Sequence, residues 1–328
     1  MLLSTIKEVA KRAGVSVGTV SKFINNIEVK PKTRMAIEAA IKELNYEPNI
    51  YARGLKMNRT NTIALILPTV WHPFFSELAY NIEKNLRALN YKMILCNSEG
   101  DYKIELDYIT MAKQNQVDGI IAITYSDIEA FISSNLPMVS VDRFFNEEIT
   151  YVSSDNLMGG YLAAQKLIES GCQSICFIGE GSKKDNSTRN RKKGFINYCE
   201  EHRIDYQVCE MIGDHDKFDE TLKQFLMDNL IQQKKIDGIF TVTDAYAYFI
   251  IEKLKEYHLS VPEDVQIIGF DGAKSSKKSV IEISTIRQPI ELIAKHTVES
   301  IDALINKQTI EKEIILPVEF HQGSTTKH

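Results

Sequence analysis

The stretch VAKRAGVSVGTVSKFINN, residues 9–26, combines three cations with serine, threonine and asparagine side chains. Lysine and arginine attract phosphate groups, and hydroxyl and amide side chains bond to phosphate oxygens and to base edges. This composition suits an anion much larger than a metabolite. The alternative interpretation is a helical cap on a globular body, with no nucleic-acid partner.

A second set of candidate residues follows short apolar runs in the rest of the chain. These segments are rich in side chains that bind hydroxyl groups, and they are Pro68–Pro73, Asn97–Gly100, Asp142–Arg143, Gly179–Ser182, Thr243–Ala245 and Asp271–Gly272. In open parallel sheets, ligands bind beyond the carboxyl ends of the strands. The pattern predicts a polar ligand-binding cleft.

Sequence signatures of catalysis and of metal binding are absent. GEGSKK (179–184) follows an apolar run, but neither GxxxxGK[ST] nor GxGxxG occurs, and HExxH and GxSxG are missing too. The five cysteines form no CxxC pair, which favours free thiols in a reducing compartment. We therefore expect no catalytic residue, no cofactor and no metal site.

The net charge of −5 hides a strong asymmetry along the chain. Residues 1–60 contain eleven lysines and arginines against five glutamates, so this head carries +6 and the remaining residues carry −11. A basic head on an acidic body favours a polyanionic partner for the head alone. The beginning, MLLSTIKEVAKR, has no sustained apolar region, and no run approaches the ~20 residues that span a bilayer. We expect a cytoplasmic protein.

Three short helices are predicted in the head. Thr5 can cap a first helix that ends at Gly14, and Ser16 can cap a second. The second helix places Val20, Phe23 and Ile24 inward and leaves Val17, Gly18, Ser21, Lys22 and Asn25 outward. The third helix runs from about residue 31 to 44 and presents Met35, Ala36, Ala39, Ala40 and Leu44 to the same core. This arrangement is typical of a helix-turn-helix unit.

From residue 61 onward, apolar strands alternate with amphipathic helices. The predicted strands are TIALILP, KMILCNS, DGIIAIT, PMVSVD, YVSSD, SICFIGE, DGIFTVT and VQIIGFD, and helices are predicted over 74–90, 103–116, 159–170 and 189–203. Such alternation predicts α/β subdomains with doubly wound parallel sheets. QVDGIIAIT (116–124) and KIDGIFTVT (235–243) resemble each other, which predicts two subdomains of related build.

Taken together, these residues resemble the lactose and galactose repressor family of bacterial transcription regulators (LacI/GalR type). The resemblance lies in TIKEVAKRAGVSVGTVSKFINN, TRMAIEAAIKELNYEPNIYARGLK, TNTIALILPTVWHPFFSELAYNIE, QVDGIIA, VSSDNLMGGYLAAQKLIESG, RNRKKGF, VPEDVQIIGFD and STIRQP, in this order from Thr5 to about Gly323. YKMILCNSEGD, VSSDNLMGGYLAAQKLI and IGFDG are most similar to sucrose-operon repressors of Gram-positive bacteria. The resemblance implies an all-α helix-turn-helix head and an α/β body of two periplasmic-binding-protein-type subdomains.

The resemblance also implies which residues contact double-stranded operator DNA. The second helix enters the major groove, with Val17, Gly18 and Lys22 as base readers. The full set of expected DNA contacts is Thr5, Ser16, Val17, Gly18, Thr19, Ser21, Lys22, Asn25, Asn49, Ala52 and Leu55. Most relatives have arginine where this chain has Lys22, which lacks the two-pronged grip on guanine; we expect a narrower set of base contacts.

Residues 49–55 resemble a hinge helix that orders on DNA and inserts a leucine, here Leu55, into the minor groove. Gly54 raises the cost of forming that helix. The alternative is that Leu55 packs on the body.

The effector contacts implied by the family motifs lie at the predicted strand ends and in nearby loops. They are Phe75, Asp142, Arg191, His215, Asp244, Asp271 and Gln288. Aspartate and arginine bond to paired hydroxyls, and an aromatic ring covers the apolar face of a sugar. Alternatives remain open: Phe75 as core, Asp142 paired with Arg143, and Asp244 as a helix cap. Asp155 is interpreted as a helix cap.

We therefore predict a dimeric, ligand-controlled repressor of a carbohydrate-utilisation operon. A small sugar or sugar phosphate is expected to bind between two body subdomains. The predicted divisions are a DNA-binding domain at 1–48, a hinge at 49–60, and a body at 61–328, whose subdomains comprise about 61–157 with 287–318 and about 158–286 with 319–328. The rival classes are a periplasmic sugar-binding protein, which lacks a reason for the basic head, and a sugar-converting enzyme, which lacks catalytic pairs.

Overall fold

The computed structural model describes residues 4–24, 27–46, 59–124, 126, 128, 136–145, 149–181, 186–212, 218–232, 235–276 and 278–327. The chain divides into two compact units, Met1–Thr60 and Asn61–His328. Each unit has its own buried apolar core.

The described part of the first unit contains three helices, which are α1 (Ile6–Ala13), α2 (Val17–Ile24) and α3 (Pro31–Glu43). Thr5 begins α1 with a capping box, in which the Glu8 amide donates to Thr5 Oγ1 and the Thr5 amide donates to Glu8 Oε2. Gly14 ends α1 at a φ of 66°, a left-handed conformation that costs glycine little. Ser16 Oγ accepts from the Thr19 amide at 3.1 Å and starts α2. The predicted caps and helices are confirmed.

The core of this unit consists of Val9, Ala10, Val20, Ile37 and Ala40. The prediction for the inward face of α3 was wrong at Met35, which is 70% exposed, and at Ala39, which is also exposed. Alanines lie on both faces of α3, so the periodicity allowed two phases. The chosen phase omitted Ile37, which is fully buried.

Two six-stranded sheets form the second unit. The first contains β1 (Thr62–Leu67), β2 (Lys92–Asn97), β3 (Gly119–Ala122), β4 (Met138–Val141), β5 (Thr150–Ser154) and β11 (Glu313–Leu316), in the order β11-β5-β4-β3-β1-β2. The second contains β6 (Ser174–Gly181), β7 (Asp205–Ile212), β8 (Gly238–Thr241), β9 (Gln266–Asp271), β10 (Ser284–Arg287) and β12 (Glu319–His321), in the order β12-β10-β9-β8-β6-β7. Neighbouring strands run parallel, except that β12 pairs antiparallel with β10.

The strand orders of the two sheets correspond position by position. The similar segments 116–124 and 235–243 form β3 and β8, which occupy the same place in their sheets. The prediction of two related, doubly wound subdomains is therefore confirmed. The chain passes between the sheets after β5, after β10 and after β11.

Helices cover both sheets and begin close to where the sequence predicted them. They are α4 (Pro73–Ala88), α5 (Tyr102–Gln114), α6 (Asn156–Glu169), α7 (Ser187–His202), α8 (Phe218–Leu226, continued by a π-helical segment Met227–Gln232), α9 (Asp244–Glu256) and α10 (Ile290–Ile305). Asp155 Oδ1 accepts from the Met158 amide at 2.9 Å, so this aspartate caps α6 as predicted. Among the described residues, no helix has the length and apolar character to cross a membrane.

Candidate functional site

The exposed side of α2 carries the residues predicted to contact DNA. Val17, Gly18 and Lys22 are exposed, while Val20 on the opposite side is fully buried. Ser16 and Thr19 share a hydrogen bond of 2.9 Å between their hydroxyls, and Thr5 is committed to the cap of α1. The small core beneath α2 therefore presents a polar, basic helix face to solvent.

Several predicted DNA contacts cannot be placed. Asn25 and the hinge residues Asn49, Ala52 and Leu55 lie outside the described residues, and their contacts with DNA stay predictions. Ser21 is described and half-buried.

Two aspartates end equivalent strands of the two sheets and share an uncommon backbone conformation. Asp142 follows β4 with a φ of 65°, and Asp271 ends β9 with a φ of 116°. Such angles strain residues other than glycine and collect at functional sites. Both side chains are buried, at 3% and 2% exposure. Each sheet therefore has a buried aspartate with a strained backbone at the carboxyl end of the corresponding strand.

Arg191 lies between these two aspartates. Its Nη1 is 3.4 Å from Asp271 Oδ1 and its Nη2 is 3.8 Å from Asp142 Oδ2, so one guanidinium contacts both sheets. Nη1 also donates to the Val242 carbonyl at 2.8 Å, and the guanidinium carbon lies 3.7 Å from the centre of the Phe270 ring. Arg191 is 3% exposed, and burial in a charge-paired, stacked site suits arginine better than lysine.

A close crossing of α6 and α7 fixes where Arg191 lies. A Cβ on Gly194 would overlap the Leu157 carbonyl oxygen, and a Cβ on Gly160 would overlap the carbonyl oxygen of Arg191 itself. The absence of side chains at both glycines lets the two backbones touch. The sequences MGGYL and KKGF thus set the position of the guanidinium.

Asn156, at the start of α6, joins the guanidinium to the Asp142 side of the cluster. Its Oδ1 accepts from Arg191 Nε at 2.8 Å, and its Nδ2 donates to Ser153 Oγ at 3.0 Å and to the Ser154 carbonyl at 2.9 Å. Ser153 Oγ in turn donates to Asp142 Oδ1 at 2.9 Å. Sequence reasoning missed Asn156, because its partners lie up to 35 residues away.

Gln288 joins the two sheets at another chain crossing. Its Oε1 accepts from Ser154 Oγ at 2.7 Å, and its Nε2 donates to Asp271 Oδ1 at 2.7 Å. Gln288 is 1% exposed, so both bonds are buried. Its position as an effector contact stays a prediction, and in the structure it holds the Asp271 carboxylate.

Asp244, the first residue of α9, is a second buried carboxyl close enough to Asp271 for their charges to interact. Its Oδ1 accepts from the Thr285 hydroxyl at 2.6 Å and its Oδ2 accepts from the Gly272 amide at 2.8 Å. Burial, with the nearby Asp271 charge, raises the pKa of Asp244 from 3.8 to about 8. Burial raises the pKa of Asp271 too, but the Arg191 guanidinium opposes that rise. The two carboxyls therefore titrate as a coupled pair, and each keeps its proton to a higher pH than an exposed aspartate does.

An aromatic ring and a histidine of the first sheet face this cluster. His72 Nε2 lies 3.9 Å from Asp271 Oδ2, and the His72 ring centre is 5.4 Å from that of Phe75. Phe75 is partly buried and packs against the core of the first sheet, so the structure places it at the core boundary. Sequence reasoning missed His72 as a site residue, although His72 lies within the strand-end segment Pro68–Pro73 and three residues before Phe75. His215 lies outside the described residues.

Three polar atoms of this cluster are buried and have no hydrogen-bond partner among the described residues. They are His72 Nδ1, Asp271 Oδ2 and Ser187 Oγ. Ser187 lies one turn before Arg191 on the same face of α7. Unsatisfied buried polar groups are costly unless a ligand or water bonds to them. The cluster therefore has the composition of a ligand-binding cleft, which we call the effector cleft: His72, Phe75, Asp142, Ser187, Arg191, Asp244, Asp271 and Gln288.

Comparisons with known proteins match both units. A sequence profile described as "Bacterial regulatory proteins, lacI family" matches residues 5–49, and one described as "Periplasmic binding protein-like domain" matches residues 164–326. The sucrose operon repressor of Pediococcus pentosaceus is 36% identical to this chain over 326 residues, which cover 98% of each protein. The chain belongs to the lacI family of bacterial regulatory proteins.

Some solved structures match this lacI-family chain over its whole length, and others match most of it. The lac repressor dimer bound to operator and the anti-inducer ONPF covers 100% of both chains with a TM-score of 0.83 at 23% identity, which shows the fold. A periplasmic binding protein/LacI transcriptional regulator from Alkaliphilus metalliredigens, complexed with D-xylulofuranose, is 29% identical. It covers 81% of this chain and 99% of that chain, with a TM-score of 0.68.

Membership in the lacI family makes this protein a DNA-binding regulator of transcription and not an enzyme. The five cysteine thiols are free and buried. Burial raises the pKa of Cys172 and Cys199 to about 12, which keeps them in the unreactive thiol form.

Proposed function

We propose that this protein represses a carbohydrate-utilisation operon in the cytoplasm as a homodimer and leaves its operator when an uncharged sugar binds the effector cleft. The observation that carries the proposal is the position of Arg191, whose guanidinium contacts carboxylates at the ends of both sheets. A ligand that bonds to this guanidinium and to Asp142 and Asp271 acts on both subdomains at once.

The charges of the described cleft support a sugar rather than a sugar phosphate. Asp142 and Asp271 place two carboxylates beside one guanidinium, which the protein already uses for four contacts. A phosphate ester adds up to two negative charges, and a third anionic group beside two buried carboxylates is costly. Hydroxyl groups, by contrast, donate to carboxylates and accept from guanidinium without a net charge. Lys183 and Lys184 lie outside the described residues, so the experiment includes phosphorylated sugars.

The relatives favour a sugar that contains a furanose ring. One relative is named for the sucrose operon, and sucrose contains a fructofuranosyl unit; another is complexed with D-xylulofuranose. The Phe75 ring offers the flat apolar surface that covers such a ring. Sucrose, D-fructose and D-xylulose are therefore the first sugars to test.

The basic head supports specific binding to operator DNA. Its +6 charge attracts phosphates, and the exposed α2 face offers Lys22 to base edges. We propose domain limits at residues 48 and 60, with residues 49–60 as the hinge between head and body. Because a ligand shifts an equilibrium only through its differential affinity, induction requires tighter binding of the sugar to the form that does not bind DNA.

A salt-dependent gel shift tests the DNA-binding part of the proposal. The operator is first selected from random DNA with the full-length chain, and binding is then compared with a chain that lacks residues 1–60. We expect specific binding that weakens steeply with salt and that deletion abolishes. No binding at low salt contradicts the proposal.

A thermal-shift panel tests the effector class. Sucrose, D-fructose and D-xylulose are compared with sucrose 6-phosphate and D-fructose 6-phosphate at equal concentration. We expect at least one uncharged sugar to raise the melting temperature and to release operator DNA, while its phosphate does neither. A response to the phosphates alone contradicts the uncharged class.

A further inference from the structure

We propose that His72 is a specificity-determining residue of the effector cleft, where its imidazole and the Asp271 carboxylate together bind one hydroxyl group of the sugar. The inference rests on the proposed function, because it assigns a further contact to the same cleft. It concerns a residue that none of the expected effector contacts includes.

The separation of the two side chains fits an inserted hydroxyl. His72 Nε2 and Asp271 Oδ2 are 3.9 Å apart, which is too long for a direct hydrogen bond. A hydroxyl oxygen about 2.8 Å from each atom fits beside this pair. The hydroxyl donates to the carboxylate and accepts from the imidazole N–H, so both protein atoms gain a partner.

The absence of protein partners points to the same role. Asp271 Oδ2 is buried and has no hydrogen-bond partner among the described residues, and the same holds for His72 Nδ1. Asp271 Oδ1, by contrast, is held by Gln288 and Arg191. One carboxylate oxygen is thus fixed by the protein and the other is left for a ligand. The second ring nitrogen of His72 gives the site one more hydrogen-bonding atom.

The position of His72 in the fold does not account for a histidine. His72 is the N-cap of α4, where serine, threonine, aspartate and asparagine are favoured because their side chains bond to the helix amides. The His72 side chain makes no capping bond. It lies against Phe75 and faces Asp271 of the other sheet. Helix formation therefore does not require the imidazole, and the cleft uses it.

The chain contains a reporter beside this residue. Trp71 is the only tryptophan of the 328 residues, and it is 92% exposed. Because it adjoins His72 in the chain, its emission is the first signal to follow during a sugar titration. Isothermal titration calorimetry supplies the dissociation constant whether or not the emission changes.

The test compares His72→Leu and His72→Gln with wild type and with His296→Leu. Leucine removes both ring nitrogens, whereas the glutamine amide restores a donor at about the reach of Nε2. His296 lies on the surface of α10, so its replacement is the control for loss of a histidine. Dissociation constants for sucrose, D-fructose and D-xylulose are measured on the full-length chain by isothermal titration calorimetry, with Trp71 emission as a second signal.

We expect His72→Leu to raise the dissociation constant at least ~10-fold for the sugar that wild type binds best, which corresponds to about 1.4 kcal/mol. His72→Gln is expected to recover most of that loss, and His296→Leu to bind as wild type does. The melting temperature without sugar should agree among all four chains to within about 2 °C, because the imidazole has no described capping role.

Two results would overturn the inference. One is sugar binding by His72→Leu within about threefold of wild type, which removes the hydroxyl contact. The other is a lowered melting temperature of His72→Leu without sugar, since that assigns His72 to the folded structure itself. If wild type binds none of the sugars, the proposed effector class fails and this inference fails with it; if wild type binds and His72→Leu binds equally, only the inference fails.

Discussion

Asp142 and Asp271 end equivalent strands of the two sheets and share left-handed backbone angles, but their surroundings differ in charge. Both lie beside the guanidinium of Arg191, and Asp142 also accepts from the neutral side chains of Ser153 and Asn156. Asp271 in addition interacts with a second buried carboxyl, that of Asp244, whose pKa is raised to about 8. Repetition of one strand order has thus produced two halves with different chemistry.

The difference indicates a division of work between the halves. The half built on β6–β10 and β12 contains Arg191, Asp244 and Asp271, so it holds the guanidinium and the coupled pair of carboxyls. The half built on β1–β5 and β11 contributes an aromatic ring, an imidazole and the Asp142 carboxylate, which lies 3.8 Å from the same guanidinium. We infer that the half built on β6–β10 and β12 determines most of the electrostatics of the site.

The largest expected effect comes from removing the guanidinium. Arg191→Met leaves Asp271 as a buried carboxylate without its charged partner, and such a loss costs about 3–5 kcal/mol. We expect the free energy of unfolding, measured by urea denaturation, to fall by that amount and sugar binding to be lost. Lys193→Met on the exposed side of α7 is the matched control and should leave both nearly unchanged. An Arg191→Met protein as stable as wild type contradicts the assignment of charge to this half.

A smaller loss is expected from the helix crossing that positions Arg191. Gly194→Ala places a methyl group against the Leu157 carbonyl oxygen, so α7 must shift away from α6. Overpacking of this kind costs about 1–3 kcal/mol. We expect that loss in the free energy of unfolding, together with weaker sugar binding. Lys193→Ala, at the neighbouring exposed position, controls for the added alanine and should bind sugar as wild type does.

How much of this arrangement could be predicted depends on whether a feature is local in sequence. The caps at Thr5 and Ser16 and the strands of strong apolar character were predictable, because a few neighbouring residues determine them. Strands β7, β10, β11 and β12 were not predicted. Glu210 interrupts the apolar pattern of β7, β11 and β12 are short and begin with glutamates, and β10 (Ser284–Arg287) contains one aliphatic residue.

The site was predictable only in part for the same reason. Asp142, Arg191 and Asp271 lie in motifs that a family resemblance identifies. His72 and Asn156 lie in segments of the resemblance but were not assigned a contact, and Ser187 lies outside those segments; their significance depends on contacts that the sequence does not show. The bond from Arg191 to Asn156, for instance, joins residues 35 positions apart. The supporting role of Asp244 likewise depends on Thr285, which is 41 residues away.

A pH dependence tests whether the raised pKa of Asp244 depends mainly on its own half of the cleft. The pKa of Asp244 is about 8 in the folded protein and 3.8 as its ordinary value, so between these pH values the folded state holds one proton more than the unfolded state. Stability from this group is therefore lost as pH rises towards 8, by up to about 1.4 kcal/mol per pH unit. Asp244→Asn replaces the carboxyl by a neutral amide of similar shape, so it removes this contribution to the change of stability with pH.

We expect the stability of Asp244→Asn relative to wild type to increase from pH 5 to pH 8, as measured by urea denaturation at each pH. Asp271→Asn is expected to reduce the same slope, because the Asp271 charge helps to raise the pKa of Asp244. Asp142→Asn in the other half should change the slope less, because the Asp142 charge raises the pKa of Asp271 and acts on Asp244 only through it. Equal effects of Asp142→Asn and Asp271→Asn would show that the halves do not differ in this respect.

The smallest expected effect concerns the bond that joins the halves at a chain crossing. Ser154→Ala removes the hydroxyl that donates to Gln288 Oε1, and a neutral hydrogen bond contributes about 0.5–1.5 kcal/mol. Gln288 keeps its bond to Asp271, so the charged half stays intact while its link to the other half weakens. We expect the free energy of unfolding to fall by about 1 kcal/mol and the pH slope of the Asp244 proton to stay unchanged. Ser324→Ala, at an exposed serine whose hydroxyl bonds to the Glu282 carbonyl, controls for loss of a hydroxyl outside the crossing. A changed pH slope in Ser154→Ala, but not in Ser324→Ala, would mean that the titration of Asp244 also depends on the other half through Gln288.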